Sequence, residues 1–154
     1  MKLSILIPAC NEEGSITSTV EGLIAELCKA AIPFEVVMVD DYSIDGTAGC
    51  MRKLNERYAD VVCVSNLGQK GFGMAIRAGL EQCKGDAVAV VMADGSDDPA
   101  DLVRYYRKLP EGYDCVFWSR FIRGSAVVDY PVHKLLLKPH GELVYQSSIR
   151  VALQ

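Results

Sequence analysis

The chain has 154 residues, half of them apolar and 23% charged, a balance that supports one packed core and excludes disordered, collagenous, coiled-coil and low-complexity classes. Its formal net charge of −4, with the acids gathered in loops, argues for no nucleic-acid partner, because such a partner demands a basic stripe. Six cysteines, Cys10, Cys28, Cys50, Cys63, Cys83 and Cys115, form no C-x-x-C pair and lack histidine at metal-ligand spacing, so they read as reduced packing residues of a cytoplasmic protein. The first eight residues hold one lysine and a short apolar run, too short for a signal peptide, and no apolar run reaches the length of a bilayer span.

The segment "LSILIP" (3–8) is a nearly continuous apolar run stopped by proline, the pattern of a strand covered on both faces. In "NEEGSITSTVEGLIAELCKAAI" the residues Ile16, Val20, Leu23, Ile24, Leu27 and Cys28 recur by threes and fours, which predicts one helical stripe. A second strand is expected in "FEVVMVDD" (34–41) and a second helix in "DGTAGCMRKLNERY" (45–58), with Asp45 placed to cap it. The alternation continues with a strand in "DVVCVSN" (60–66), a helix in "GMAIRAGLEQC" (73–83), a strand in "DAVAVVMA" (86–93) and a helix in "PADLVRYYRKL" (99–109). Asp98 before Pro99 is a start signal: an N-cap, then the one helical position where proline is welcome. "YDCVFWSRF" (113–121) supplies a fifth strand. This alternation predicts right-handed βαβ units and a parallel sheet with helices on both faces.

In such sheets ligands sit at the carboxyl ends of the strands. Three strands end in polar or acidic segments there, "IPACNEE", "VDDYSIDGT" and "MADGSDDP". Carboxylates converging on one edge repel one another unless a cation joins them. A hard divalent ion, Mg²⁺ or Mn²⁺, bridging to phosphate oxygens meets that need and suggests a nucleoside diphosphate. Helix capping accounts for Asp45 and Asp98, and first-turn acids suiting the helix dipole account for Asp97 and Asp101. Asp40, Asp41 and Asp94 are left without a structural explanation. The loop "NLGQKGFGMA" (66–75) could bring backbone close to a phosphate, with Lys70 as a point charge. It matches neither G-x-x-x-x-G-K-[ST] nor the dinucleotide fingerprint, and taken alone it reads more readily as a turn.

In their order and spacing, "LSILIPACNEEGSI", "FEVVMVDDYSIDGT", "NLGQKGFGMAIRAGLEQCKGD", "VVMADGSDDPADL" and "SRFIRGS…DYP" resemble glycosyltransferase family 2, in particular its dolichol- or polyprenyl-phosphate mannosyl- or glucosyltransferase branch. The match covers residues 3 to about 137. The resemblance implies an α/β, three-layer GT-A (Rossmann-like) fold, a mostly parallel sheet with helices on both faces, its C-terminal part missing here. It implies inverting transfer of a sugar from a nucleotide-diphosphate sugar, of the GDP-mannose or UDP-glucose type, to a lipid-phosphate acceptor at a membrane surface, with Mg²⁺ or Mn²⁺ on the diphosphate. On this resemblance Pro8, Ala9, Asn11 and Glu12 hold base and ribose, and Asp40 and Asp41 hold the nucleoside, Asp41 nearer the ribose. Lys70 and Gly71 lie near the donor, Asp94 is the metal-binding acid with Ser96 close by, and Arg120 and Arg123 meet phosphate. The location implied is cytoplasmic and membrane-peripheral.

Three departures stand out. The first acid of the family's D-x-D motif is Met92, so a metal loses one carboxylate. "DDYS" replaces "DDGS", setting Tyr42 where glycine is common, and "WSRF" sets Trp118 beside Arg120, where filling core is the simpler role.

Residues 1–137 are thus expected to form a nucleotide-sugar-binding domain incomplete on its acceptor side, followed by an atypical tail, 138–154. A one-base slip near residue 138 would account for that tail, since an alternative frame there resembles the family's continuation; a naturally diverged short ending is the other reading. Pro139 breaks the helix begun at 132–138. His133 and His140 are lone histidines suited to surface or packing roles, and no catalytic base is assigned. The "LLL" run (135–137) offers an apolar face for self-association. An inactive, truncated nucleotide-binding remnant is the alternative function.

Overall fold

The computed structural model describes residues 1–117 and 151–153. Arg120, Arg123, Trp118, both histidines, the "LLL" run and most of the 138–154 tail therefore lie outside the described residues. The chain divides into two compact units, Met1–Val103 and Arg104–Gln154.

The first unit runs β1 (Leu3–Ala9), α1 (Ile16–Lys29), β2 (Phe34–Asp40), α2 (Thr47–Arg57), β3 (Val61–Ser65), α3 (Phe72–Leu80) and β4 (Ala87–Val90). Helix α4 (Pro99–Lys108) starts in this unit and ends in the second. The second unit holds a 3-10 turn, Leu109–Glu111, and strands β5 (Cys115–Phe117) and β6 (Val151–Leu153), which pair in parallel.

The four-stranded sheet has the order β3-β2-β1-β4 with every neighbour parallel. Each expected α/β alternation through residue 117 is present. Every residue of β1 is buried, as a central strand covered on both faces requires. In register, Ile5 faces Val36 and Leu6 faces Val37, so alternate residues feed two different core layers. Leu6, Val37, Val39 and Ala75 form one of these layers, beneath α3. Helix α3 lies so close there that a methyl group on Gly79 would come 2.8 Å from Val39 Cγ2 and closer still to Leu6. The opposite layer receives α1, whose Ile16, Val20, Leu23 and Leu27 are fully buried, and α2, which packs beside α1. Right-handed crossovers explain this division: β1, β2 and β3 step one way with α1 and α2 on one face. The return to β4 reverses direction and puts α3 on the other.

Several details differ from the sequence pattern. Cys28 is exposed, whereas Thr19 is buried and donates its hydroxyl to Ala93 O at 3.1 Å. The apolar stripe of α1 is therefore narrower at its end than the periodicity suggests. Strand β4 stops at Val90, three residues early, and beyond it the Met92 backbone N–H is bonded to Asp97. Asp97 lies before α4 and accepts the Met92 N–H at 2.8 Å, so it closes a loop and does not sit in the helix's first turn. The cysteines described are all free, and burial pushes the Cys63 and Cys83 thiols above their ordinary range. No helix among the described residues is long and apolar enough to cross a membrane.

Candidate functional site

From β1 the chain goes outward to β2 and β3, then returns on the opposite side to form β4. The carboxyl ends of β1 and β4 are thus neighbours, and the turn that follows β4 is bonded to α1 through Thr19. This topological switch point is where open α/β sheets bind ligands.

Pro8 and Ala9 close β1, and Ala9 O accepts the Asp41 N–H at 2.8 Å. Asn11 then turns the chain at φ 60, a left-handed conformation that Asn tolerates better than most residues. Its N–H donates to Ser43 Oγ at 3.0 Å, and its Oδ1 accepts the Ile44 N–H at 2.9 Å. The Glu12 N–H donates to Thr47 Oγ1 at 2.7 Å, and Glu12 Oε2 accepts the Ser15 hydroxyl at 2.7 Å. Glu13 Oε2 accepts the Gly46 N–H at 2.6 Å. The loop after β1 is laced in this way to the loop after β2.

Asp45 is not the cap of α2, since Gly46 holds that place; it lies one residue earlier and accepts the Thr47 N–H at 3.0 Å in an Asx turn that leads into the helix. The Thr47 hydroxyl holds its carboxyl below the ordinary range, against a smaller desolvation effect and with help from backbone N–H groups. Asp40 is half-buried and accepts the Ser43 N–H at 3.2 Å. Asp41, 6% exposed, is engaged differently: its Oδ1 accepts from Asn66 Nδ2 at 2.7 Å and its Oδ2 from the Gly71 N–H at 2.9 Å. Asn66 is also buried, and its Nδ2 donates to Gln69 O at 2.9 Å. Gly71 sits at φ 148, which a side chain would strain, so the loop can deliver its N–H to Asp41 only with glycine there. Lys70 is exposed on the same loop.

Asn66 was not singled out by sequence reasoning. Its signal was available: an asparagine directly after a strand and two residues before Gly68, whose N–H it accepts at 3.0 Å, is an Asx-turn pattern.

In the turn after β4, Asp94 is exposed and accepts the Ser96 N–H at 2.9 Å. The Ser96 hydroxyl, then its N–H, hold the Asp94 carboxyl below the ordinary range despite partial desolvation, so it is a stable negative charge at neutral pH. Gly95 at φ 74 permits this tight turn. The Thr19 bond to Ala93 ties the turn to α1, and Asp98 caps α4 by accepting the Ala100 N–H at 2.8 Å.

The described residues contain no group of three or more His, Cys, Asp or Glu side chains able to enclose a metal. They do fit the other manner of holding Mg²⁺ or Mn²⁺, by one or two carboxylates with the remaining ligands from water and phosphate. Asp94 is exposed, as such a carboxylate would have to be, and Met92, 40% exposed, offers no oxygen.

An open parallel sheet with polar loops at its switch point is the α/β architecture that places a ligand site at the carboxyl ends of its strands. Residues 4–152 match the family model of Glycosyl transferase family 2, and the chain belongs to that family. It is 28% identical, over 94% of its length, to dolichol-phosphate mannosyltransferase of Pyrococcus furiosus, covering 40% of that protein. It is 34% identical, over 98% of its length, to an undecaprenyl-phosphate 4-deoxy-4-formamido-L-arabinose transferase of Pseudomonas fluorescens, covering 43% of it. Among solved structures, residues 1–349 of S. aureus TarS align with TM-score 0.61 and 27% identity over 82% of this chain and 39% of that one. Mannosyl-3-phosphoglycerate synthase from Rubrobacter xylanophilus shares the fold, with TM-score 0.66 and 21% identity over 77% of this chain and 40% of that one. The fold is GT-A, and the chain spans about two fifths of the length of the curated relatives it matches.

Proposed function

We propose that the chain carries the donor-binding half of a glycosyltransferase that moves a hexose from a nucleoside diphosphate to a polyprenyl-phosphate-like acceptor at a membrane surface. The observation that carries this reading is Asp94, an exposed carboxylate held below its ordinary range on a pinned turn at the carboxyl ends of β1 and β4. The TarS fragment has also been solved with UDP-GlcNAc; that complex aligns at 26% identity and TM-score 0.58.

In this reading Pro8, Ala9, Asn11 and Glu12 border the base and ribose, Asp40 binds the nucleoside, and Asp41 serves it through the loop that it holds. Lys70 and the Gly71 backbone supply positive charge and a close approach, Ser96 steadies Asp94, and Arg120 and Arg123 meet phosphate with guanidinium forks. A bound Mg²⁺ or Mn²⁺, held by Asp94 and the diphosphate, would offset charge on the leaving group. Transfer with inversion forms a bond from an acceptor phosphate oxygen to the anomeric carbon. The bond from that carbon to the nucleoside diphosphate breaks, and its electron pair leaves with the diphosphate. An acceptor phosphate is already ionised near neutral pH, so this step does not demand a strong general base. Residues 1–137 would form the donor domain.

Calorimetric titration with UDP-GlcNAc, UDP-glucose and GDP-mannose, each with and without Mn²⁺, tests the reading. Metal-dependent binding of one donor, lost in Asp94→Ala, is expected; no binding of any refutes it. The thioether of Met92 at the first acid position favours a second reading, nucleotide binding without transfer. Donor binding with no sugar reaching a polyprenyl phosphate would select it.

A further inference from the structure

Tyr42 occupies a left-handed conformation, φ 59, which glycine adopts without cost and a bulky residue rarely does. Such a conformation persists only where its surroundings hold it. Here the holding contact is specific: the Tyr42 hydroxyl donates to Gly68 O at 2.6 Å, bridging from the loop after β2 to the loop after β3. The second loop is anchored at its two ends by Asp41, through Asn66 and the Gly71 N–H. Gly68 and its neighbours lie between those anchors, and Tyr42 reaches them from outside the loop. Lys70 rides on this middle stretch. A lysine ammonium on a long stem gains precision when its backbone origin is fixed.

We propose that Tyr42 is a positioning residue for the donor nucleotide, a strap that holds the 66–71 loop closed and fixes the place from which Lys70 presents its charge. The proposal rests on the reading of the carboxyl edge of the sheet as a nucleotide-sugar site. Its tyrosine stands where the family pattern commonly has glycine, which has no side chain to make the bridge.

Tyr42→Phe keeps the ring and removes the hydroxyl. In the free chain, amide hydrogen exchange at Gly68 and Gly71 should rise about fivefold, the factor of one net hydrogen bond, with β1 and β2 amides unchanged. The affinity for whichever of UDP-GlcNAc, UDP-glucose or GDP-mannose the unaltered chain binds should fall by a similar factor. In a Lys70→Ala background Tyr42→Phe should then cost no further affinity, because the strap acts through Lys70. Unchanged exchange at Gly68 and Gly71, or the same loss of affinity with and without Lys70, would overturn the proposal. Failure of the unaltered chain to bind any nucleotide sugar would instead overturn the proposed function, and the exchange result in that same chain still decides whether the strap exists.

Discussion

Glu35 gives a sharp test of what holds the amino ends of the strands together. It lies on β2 opposite Ser4 of β1 and is 6% exposed. Its Oε1 accepts the Ser4 hydroxyl at 2.6 Å and the Lys84 N–H, and its Oε2 accepts from Lys2 Nζ at 2.8 Å. Ser4 Oγ in turn accepts the Gly85 N–H at 2.8 Å, so one carboxylate joins β1, β2 and the turn before β4. Burial pushes the Glu35 pKa up, but the bonds from Lys2, Ser4 and Lys84, with the charge of Lys2, outweigh it and bring the value from 4.5 down to about 2. A depressed folded-state pKa means stability that is full above the unfolded value and lost as pH falls toward the folded one. At roughly 1.4 kcal/mol per unit this shift corresponds to about 3 kcal/mol, vanishing between about pH 4.5 and 2. Urea unfolding of the native chain and of Glu35→Gln across pH 7 to 2.5 should show a gap of about 2–3 kcal/mol at pH 7 that closes as the pH drops. A gap that stays constant with pH, or no gap at pH 7, would refute the assignment of this stability to the ionised carboxylate.

Gly79→Ala should destabilise the chain by about 1–3 kcal/mol through overpacking against Leu6 and Val39, measured as a lower urea midpoint at unchanged slope. Asp41→Asn sets an amide NH2 against one of the N–H donors that face the carboxylate and removes its charge, and should cost about 1.5–3 kcal/mol, whereas Asp40→Asn, at the half-buried neighbour, should cost less; equal losses in urea unfolding would contradict the loop-anchor role of Asp41. Asp94→Ala should weaken metal-dependent nucleotide binding with little change in stability. Asp98→Ala should cost about 1 kcal/mol of stability and leave affinity nearly unchanged, and equal binding losses in the two variants by calorimetry would sink this division.

The strands and helices of the first unit were legible because each carries a local pattern: the apolar run of β1, the three-four spacing of α1, Asp98 followed by Pro99. The order β3-β2-β1-β4 was not, since alternation alone leaves open on which side of β1 the chain returns. Asp98 was read correctly from its place before Pro99, while Asp45 was read as the cap of α2 and lies one residue before it. Asp97 was misplaced, because its partner Met92 lies upstream in a turn with no helical period. The engagement of Asp41 by Asn66 and Gly71, and of Gly68 by Tyr42, joins residues 25 to 30 positions apart. Pairings of that kind arise only when parallel strands set two loops side by side.

The acid-rich carboxyl edge raised a problem of repulsion, and the geometry answers most of it without a cation. Glu13 takes the Gly46 N–H, Asp45 that of Thr47, Asp41 that of Gly71, Asp97 that of Met92 and Asp98 that of Ala100. Each of these carboxylates thus fixes backbone by accepting an N–H. The loops are built before any ligand arrives. Asp94, like Asp98, bonds two residues on, to Ser96, but it starts no helix, and its turn is held from outside by Thr19. Its charge fixes no other loop, which is why a diphosphate-bound cation is best sought there and the neighbouring acids are best regarded as the frame.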